Sequence, residues 1–380
     1  SRETASRETA RVLMAAHPTV GHTSALRAIG ARLIEQGHPV ALAMVDARLP
    51  FQSLWPEALR AATGLPSAIA REGIEVLSLA PSLGTIWHAT RIARKTGHDE
   101  LEIAIELFTS GVADQARDLA RHARAWRADV IVADYLMPAA LLGAELAGLP
   151  VASLYHSALP FPVEGAAPFG SGLDETAKGS PQWQRAQSTL ARLGKRFDER
   201  VATATRSLGL ASRGSGLLAQ PISPDLNLLA TSPELEPGLA PLPGNVLRTG
   251  PCLPRVSPSH ADEPALRALP DEGLRLYVSL GTVFNGQPAV FDRILGGLAG
   301  LDAHVVVSAG ASFERISRRS GPRTHVFRRV PQVPLLARVD TVVTHGGNNT
   351  VQECLAAGCS MVVIPFGGDQ LENARRLERL

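Results

Sequence analysis

The chain has 380 residues, of which 45% are hydrophobic and only 4% aromatic, and its formal net charge is +2. This length favours two domains, and the balanced charge argues against a protein that binds nucleic acid or a membrane surface. The three cysteines, Cys252, Cys354 and Cys359, form no CxxC pair, which indicates a reduced, cytoplasmic protein without structural zinc. No apolar run has the length and composition of a membrane span.

The first half of the chain alternates between predicted strands and predicted helices. Apolar runs of strand length lie at 11–16, 39–45, 73–80, 129–134, 150–156 and 225–230. Apolar residues recur at helical spacing around 26–34, 101–126, 138–148 and 183–208. Apolar strands without clean alternation, separated by amphipathic helices, predict a parallel sheet that is covered on both faces.

A second series of the same kind follows a proline-rich stretch. Its predicted strands lie at 274–280, 303–309, 324–330, 340–345 and 360–365. We therefore place an N-terminal domain at 11–250, a linker at 251–272 and a C-terminal domain at 273–380. The predicted fold is α/β, with two tandem Rossmann-like, doubly wound parallel-sheet domains that face each other across a cleft. Ligands of such sheets bind beyond the carboxyl ends of the strands, so the residues just after each strand are the site candidates.

The segment after the predicted strand 340–345 has the composition of an anion-binding loop. His345 precedes Gly346 and Gly347, while Asn349 and Thr350 lie where a helix would begin. Glycine lets the backbone approach a ligand, and a helix N-terminus offers unpaired N–H groups with partial positive charge. Each feature alone is more simply explained by a tight turn and an N-cap.

Further residues around this segment indicate a nucleotide-sugar. Gly281 and Thr282 follow another predicted strand and can complete a cradle for a diphosphate. Glu353 is placed to hold ribose hydroxyls, as acidic residues do in dinucleotide folds. Asp369 and Gln370 follow the next strand and form an acceptor pair suited to sugar hydroxyls. An anion cradle, a ribose carboxylate and a hydroxyl-binding pair within one βα unit together describe a nucleotide-sugar site.

These residues resemble the donor-binding signature of the UDP-glycosyltransferase family, GT-B-fold enzymes that glycosylate small molecules. The matching segments are VPQ at 330–332, HGGNNTVQE at 345–353, AAGCSMVVIP at 356–365 and DQLENA at 369–374. PTVGHTSAL at 18–26 resembles the other landmark of the family, a Gly-His before the first helix. The resemblance spans most of residues 11–380 and is to the bacterial natural-product type.

The resemblance implies a role for each donor-side residue. The implied diphosphate contacts are Thr282, His345, Asn349 and Thr350, and Gly346 and Gly347 are implied donor-binding residues beside them. The implied contacts to the nucleoside and the transferred sugar are Gln332 near the base, Glu353 on the ribose, and Asp369 and Gln370 on the sugar. Many relatives carry a tryptophan that stacks on uracil three residues before the glutamine; here the residue is Arg329. A guanidinium plane can also stack on a base, so UDP and TDP both stay open.

On the acceptor side, His22 matches the catalytic base of the family and Asp134 the carboxylate that supports it. Deprotonation of a hydroxyl needs a base near neutral pH, which suits histidine, and a buried aspartate on the other ring nitrogen fixes the tautomer. Without the donor signature, a capping histidine and a capping or solvated carboxylate would be the simpler interpretations. His17 is the rival base in the same loop, and the Gly21-His22 pairing favours His22.

The apolar segment 154–170 follows a strand of the N-terminal domain, where such loops line the acceptor pocket in the resembled family. Its acceptor-binding candidates are Tyr155, His156, Phe161 and Phe169. A proline-rich surface loop with a few packed aromatic side chains is an equally good interpretation of this segment.

The sequence carries no motif that asks for another cofactor. It contains no DxD, GxxxxGK[ST], GxGxxG or GxSxG motif and no His/Cys cluster with metal-ligand spacing. We therefore expect no metal and no cofactor besides the nucleotide-sugar co-substrate. Relatives usually continue beyond the position of Leu380, so the C-terminal domain is expected to be truncated here. No nucleic-acid partner is expected, and the oligomeric state is left open.

The sequence thus predicts an inverting, metal-independent glycosyltransferase that moves a sugar from a UDP- or TDP-sugar to a hydroxyl of a small apolar natural product. One alternative is a GT-B transferase acting on lipid-linked or cell-wall intermediates. Another is a nucleotide-sugar-binding protein without turnover.

Overall fold

The computed structural model describes residues 9–45, 64–82, 84, 98–164, 166–211, 216–235, 242–254, 263–282 and 285–380. The strands in these ranges form two parallel sheets, one of seven strands and one of five. The predicted α/β architecture with two parallel sheets is therefore confirmed.

The seven-stranded sheet is built from the first part of the chain. Its strands are β1 (Val12–Ala16), β2 (Val40–Val45), β3 (Glu75–Leu79), β4 (Val130–Asp134), β5 (Val151–Tyr155), β6 (Leu226–Leu229) and β7 (Val246–Arg248). Their order is β3-β2-β1-β4-β5-β6-β7, and every neighbouring pair is parallel. The sequence does not predict β7, because that strand has three residues of which two are exposed. The order reverses between β1 and β4, and ligands of open sheets bind at such a switch point.

The helices on this sheet lie close to the predicted ones, with two exceptions: the short helix at Leu65–Arg71 is not predicted, and the helix expected over 101–126 is divided. They are α1 (Val20–Glu35), α2 (Leu65–Arg71), α3 (His98–Phe108), α4 (Val112–Trp126), α5 (Pro138–Ala147) and α6 (Pro181–Ser207). The single helix expected over 101–126 is wrong, because the chain breaks at Gly111 into α3 and α4. Gly111 has φ +73°, and a Cβ there would lie 2.8 Å from Cβ of Ser82. A residue with a side chain would be strained in this left-handed conformation and would collide with Ser82.

The five-stranded sheet follows the same scheme. Its strands are β8 (Leu274–Ser279), β9 (Ala303–Ser308), β10 (Thr324–Phe327), β11 (Thr341–Thr344) and β12 (Ser360–Val363), in the order β10-β9-β8-β11-β12. Its helices are α7 (Pro264–Arg267), α8 (Pro288–Leu298), α9 (Phe313–Ile316), α10 (Gln332–Leu336), α11 (Asn348–Ala357) and α12 (Gln370–Leu377). Short 3-10 turns lie at Glu175–Ala177, Pro233–Leu235, Gly310–Ser312 and Ser317–Arg319.

Each sheet carries an apolar core on both of its faces, which explains why its strands do not alternate between apolar and polar residues. In β1, Leu13 belongs to one core cluster and Met14 to the cluster on the opposite face. In β8, Val278 and Tyr277 divide in the same way between two clusters. A strand that is buried on both faces reads as a continuous apolar run, as the sequence analysis assumes.

The predicted domain boundaries stay a prediction, although the two sheets fall on either side of them. Residues 255–262 of the predicted linker lie outside the described residues. Its end is not a free connection, because Ala265 and Leu266 of α7 are buried in a core cluster of the five-stranded sheet. Among the described residues, no helix combines the length and the apolar character that a membrane span requires.

Candidate active site

His22 and Asp134 contact each other at the carboxyl edge of the seven-stranded sheet. Asp134 is the last residue of β4, and His22 lies in the first turn of α1. The Gly-His pair is therefore inside the helix and not before it, since the N-cap is Thr19, whose side chain accepts a hydrogen bond from the His22 N–H. His22 Nδ1 donates to Asp134 Oδ2 in a short contact. The side chain of Asp134 is fully buried, while that of His22 is 16% exposed.

The Asp134 carboxylate is shared between two imidazoles. His156, directly after β5, has Nε2 3.4 Å from Asp134 Oδ1, and the Leu136 N–H donates to the same oxygen over 3.0 Å. Burial would raise the pKa of Asp134, but the charges of His22 and His156 and their hydrogen bonds hold it well below its usual range. Asp134 is therefore an anion at neutral pH, and each imidazole directs one N–H toward it.

His156 lies between carboxylates from both halves of the molecule. Its ring stands edge-on to His22 with centroids 4.9 Å apart, and it packs on Tyr135. Burial lowers the pKa of His156, but Asp134, and then Asp369 from beyond β12, raise it above its usual value overall. The sequence predicts His156 only as an acceptor contact, so its place on Asp134 is new information from the fold.

His17, the rival base, is in a different environment from His22. It is 6% exposed, packs on Phe108, and its Nε2 donates to the Leu136 carbonyl over 3.0 Å. Burial and the neighbouring His22 lower the pKa of His17 to about 4. A group that takes up a proton only near pH 4 is a poor base at neutral pH, which favours His22.

The acceptor-binding candidates separate into two groups. Tyr155 is completely buried, and its hydroxyl accepts a hydrogen bond from the Ile222 N–H. Phe161 is 5% exposed and packs against Tyr155. The prediction is wrong for these two residues, because both belong to the core beneath the loop. Phe169 instead lines a cavity of about 690 Å³ between the segment 158–175 and α12.

His345 lies directly after β11, and glycine backbone packs closely against its ring. A Cβ at Gly281 would lie 2.5 Å from its ring, and a Cβ at Gly347 would lie 2.6 Å from its Nε2. A Cβ at Gly346, which has φ +86°, would lie 2.6 Å from Val363. Burial lowers the pKa of His345 to about 4. His345 is therefore a neutral imidazole at physiological pH, able to donate one hydrogen bond to a phosphate oxygen.

The first turn of α11 lies beside His345 and faces the seven-stranded sheet. Gly347 is its N-cap, and Asn349 and Thr350 follow in the first turn. Asn349 Nδ2 donates over 2.9 Å to the carbonyl of Gly21, the residue before His22. The helix that was predicted to bind the diphosphate is thus also in contact with the helix that carries the base.

Gln332, Thr350 and Glu353 form one hydrogen-bonded cluster. Gln332 Nε2 donates to Glu353 Oε2 over 2.6 Å and to Thr350 Oγ1 over 3.2 Å, and Tyr277 donates to Gln332 Oε1. Burial raises the pKa of Glu353, and the bond from Gln332 counters this. Glu353 and Asn349 line a small, water-sized cavity next to α1. The structure therefore brings the predicted ribose and base contacts together.

Asp369 and Gln370 begin α12. The Asp369 carboxylate accepts a hydrogen bond from Asn373 Nδ2 over 3.1 Å. Gln370 Oε1 accepts from the N–H groups of Phe366 and Gly367, so that oxygen stabilises the preceding turn. A sugar contact by Gln370 would use its NH₂ group, and the expected pair of acceptors reduces to Asp369.

Two donor-side candidates lie at the edge of this arrangement. Thr282 follows β8, where its carbonyl accepts a hydrogen bond from Asn285. Arg329, between β10 and α10, is exposed. No described contact joins either side chain to the Gln332 cluster or to His345. Their assigned roles stay predictions.

Two cross-sheet contacts were not expected from the sequence. Asn348 Nδ2 donates to the His156 carbonyl over 2.8 Å, and Gln352 Nε2 donates to the Ala230 carbonyl over 2.7 Å. The signal in the sequence is the spacing of Asn348 and Gln352, four residues apart and so on one face of a helix. Which carbonyls they reach depends on how the two sheets are placed, and a local pattern does not contain that information.

Among the described residues, His22, Asp134 and His156 are the one group of three side chains whose donor atoms lie within 4.8 Å of one another, close enough to share a metal ion. The two imidazole nitrogens concerned are those that direct their protons toward the carboxylate. A metal would have to displace both protons. We therefore interpret the group as a hydrogen-bonded base with its supports, and the expected absence of a metal site stays a prediction.

Comparisons with known proteins agree with this geometry. Residues 260–380 match the family model described as UDP-glucoronosyl and UDP-glucosyl transferase. The chain is 28% identical over 386 residues to 4'-demethylrebeccamycin synthase of Lentzea aerocolonigenes, covering 97% of this chain and 85% of that protein.

Solved structures share the fold over nearly the whole chain. The glycotransferase of kitacinnamycin is 20% identical with a TM-score of 0.69, covering 98% of this chain and 84% of the other. The glycosyltransferase SsfS6 of Streptomyces sp. SF2575, complexed with thymidine diphosphate, is 17% identical with a TM-score of 0.60, covering 97% and 86%. The predicted resemblance to the UDP-glycosyltransferase family is confirmed, and the chain is a glycosyltransferase with the GT-B fold.

Proposed function

We propose that this glycosyltransferase moves a sugar, with inversion and without a metal ion, from a TDP- or UDP-sugar to a hydroxyl group of a small, largely apolar natural product. The observation that carries this proposal is the contact between His22 Nδ1 and the buried Asp134 carboxylate, opposite the His345 loop. The cytoplasmic location expected from the cysteines remains part of the proposal.

The His22–Asp134 pair supports base chemistry. Because Nδ1–H donates to Asp134, the neutral ring keeps the lone pair of Nε2 for a substrate proton. In the proposed step, Nε2 takes the proton of the acceptor hydroxyl while the hydroxyl oxygen bonds to the anomeric carbon. The bond from that carbon to the diphosphate oxygen breaks, and the nucleoside diphosphate leaves with the electron pair. A single displacement of this kind inverts the anomeric centre.

The donor side supports binding of the diphosphate without a cation. A helix N-terminus attracts anions through its unpaired N–H groups, and α11 begins directly after His345 and its two glycines. His345 adds one N–H donor, and its imidazole stays neutral because burial lowers its pKa. We propose that these groups hold the diphosphate and that no cofactor besides the nucleotide-sugar takes part.

The acceptor proposal rests on the cavity beside Phe169. It is open to solvent, and the empty space within it is about 690 Å³. Apolar residues of the segment 158–173 form one side, and Arg375, Arg376 and Arg379 of α12 and its end lie on the other. Asp174, Glu175 and Glu372 also line the cavity, so its apolar side suits the body of a largely apolar compound and its charged side suits polar substituents. The similar proteins carry the names of natural products.

Calorimetric titration with UDP and TDP tests the donor site without knowledge of the acceptor. We expect the chain to bind at least one of them and His345→Ala to bind it about 10- to 100-fold more weakly, the loss of one hydrogen bond to a charged group. His325→Ala, on β10 of the same sheet, is the matched control and should bind like the unchanged chain. Failure of the unchanged chain to bind either nucleotide would refute the proposal.

Turnover and stereochemistry need a second experiment. A screen of hydroxylated aromatic compounds with UDP-glucose and TDP-glucose should give a product whose anomeric configuration, read by NMR, is opposite to that of the donor. A product with the same anomeric configuration as the donor would contradict the single-displacement mechanism. Nucleotide binding without any transfer, unchanged in His22→Ala, would favour a binding protein instead, and a strict requirement for added Mg²⁺ would contradict metal independence.

A further inference from the structure

Asn348 is the residue through which the donor-binding helix contacts the supports of the base. It is the first residue of α11 and is 4% exposed. Its side-chain Nδ2 donates over 2.8 Å to the carbonyl of His156. One residue of the donor-binding helix thus contacts the backbone of a histidine in the catalytic cluster.

The orientation of the Asn348 amide follows from its partner. A carbonyl oxygen can only accept a hydrogen bond, so the NH₂ end of the amide must face His156 and the oxygen must point away. The structure shows no partner for that oxygen among the described residues. Burying an unpaired oxygen costs free energy. The contact with His156 is therefore the interaction that accounts for an amide at this position.

His156 links Asn348 to the base through the Asp134 carboxylate. Its backbone is held by Asn348, and its ring nitrogen Nε2 lies 3.4 Å from Asp134 Oδ1. The other oxygen of the same carboxylate accepts from His22 Nδ1. A shift of the His156 backbone would move its ring relative to Asp134, and the carboxylate has no other described charged partner besides the two imidazoles.

We propose that Asn348 is a positioning residue, which holds His156 and thereby the Asp134 carboxylate in register with His22 from the donor-binding side of the cleft. The inference rests on the proposed function, because only a base has to be kept in register with a donor. It explains why an Asn-Asn pair begins the donor helix: Asn349 holds the carbonyl before His22, and Asn348 holds the carbonyl of His156.

The test uses Asn348→Asp, which keeps the shape of the side chain but removes its NH₂ donor, and Asn348→Ala as a second variant. Gln352→Ala is the matched control. It removes a buried amide-to-carbonyl bond from the same helix across the same cleft, but to Ala230 and not to a histidine. Each variant is made in the whole 380-residue chain and labelled with ¹⁵N at histidine, and the His156 and His22 signals are assigned from His156→Gln and His22→Gln.

In the unchanged protein, His156 should carry a proton on Nε2 and His22 should show a downfield Nδ1 proton. We expect both Asn348 variants to change the His156 tautomer pattern and to weaken the His22 signal. TDP and UDP affinity should stay within about threefold. With any acceptor found by screening, kcat should fall about 10- to 100-fold, since small misplacements of catalytic groups have costs of this size. Gln352→Ala should leave both histidine signals unchanged.

Two results would overturn the inference. Unchanged histidine signals in both Asn348 variants would show that the contact does not position His156. Equal changes in Gln352→Ala would show that any loosening of the cleft has the same effect. Failure of the proposed function is seen separately, as absence of nucleotide binding by the unchanged protein, and the positioning role would fall with it.

Discussion

The two histidine sites that face each other across the cleft differ in their surroundings: one contains a carboxylate and the other contains glycine backbone. On the seven-stranded sheet, His22 and His156 contact the buried carboxylate Asp134. On the five-stranded sheet, glycine backbone packs against His345, and burial lowers its pKa to about 4. An imidazole that must accept a proton is stabilised by a neighbouring anion, whereas one that must bind a diphosphate is better left without a carboxylate that would repel the ligand. The surroundings of each histidine therefore decide whether it acts as a base or as a hydrogen-bond donor to an anion.

Replacing the carboxylate should have the largest effect. Asp134→Asn keeps the shape but cannot carry the negative charge, and its NH₂ group would donate to His22 Nδ1 and so place the ring proton on Nε2. Because that proton blocks the base, we expect kcat to fall about 10²- to 10⁴-fold. Steady-state kinetics with a screened acceptor measures this. Nucleotide affinity should not change, and near-normal turnover would show that His22 is not held by Asp134 for catalysis.

Adding a side chain to a glycine that packs against His345 should have the next largest effect. In Gly347→Ala the new Cβ would lie 2.6 Å from Nε2 of His345, so the ring has to move. The backbone of Gly347 has φ −62°, which alanine adopts readily, so the collision is the whole perturbation. Overpacking of this kind costs about 1–3 kcal/mol of stability. A displaced ring also loses its hydrogen bond to the diphosphate, so we expect TDP or UDP to bind roughly 10- to 100-fold more weakly by calorimetry.

The control for this substitution is Gly286→Ala, in the neighbouring loop, where an added Cβ meets nothing within 4 Å. It should bind nucleotide like the unchanged protein. If Gly347→Ala also binds normally, the His345 ring does not contact the diphosphate, and the donor site must depend on the helix N-terminus alone.

A smaller effect is expected on the pH dependence of stability through His17. The pKa of His17 is lowered from 6.5 to about 4 in the folded protein, so below pH 6.5 the unfolded chain binds a proton that the native state does not. Its contribution to stability is present above pH 6.5 and is lost as the pH falls toward 4. Between pH 7 and pH 5 this loss is about 2 kcal/mol.

His17→Gln removes this dependence while an amide N–H can still donate to the Leu136 carbonyl. Denaturant unfolding at pH 7 and pH 5 should therefore show a smaller loss of free energy of unfolding in the variant than in the unchanged protein. Equal losses would mean that His17 titrates near its ordinary pKa, and it would then be a credible rival to His22.

The sequence predicts the sheets well because a strand that is buried on both faces leaves a local record in its apolar run. It predicts His345 as a site residue because His345 follows a strand and precedes two glycines, and it predicts Asp134 through the family resemblance. It fails for Tyr155 and Phe161, since a core aromatic and a pocket aromatic look alike in sequence. It also does not show that His156 and His22 share one carboxylate, because that contact joins residues from α1, β4 and the end of β5 and exists only after the sheet has formed.

The smallest effect should come from the ion pair between Arg375 and Asp174, which also crosses the cleft. Both side chains are partly exposed, so solvent and salt screen their attraction and most of its gain is offset by ordering two flexible groups. Asp174→Asn keeps the side-chain oxygen that caps the turn at Thr176 and removes only the charge. The free energy of unfolding and the nucleotide affinity of Asp174→Asn should lie within experimental error of the unchanged protein, at low and at high salt.

A clear loss of stability at low salt that disappears at high salt would mean that surface charge holds the two sheets together. The buried amides of Asn348, Asn349 and Gln352 would then be secondary contacts, and the asymmetry between the two histidine sites would have to be explained without them.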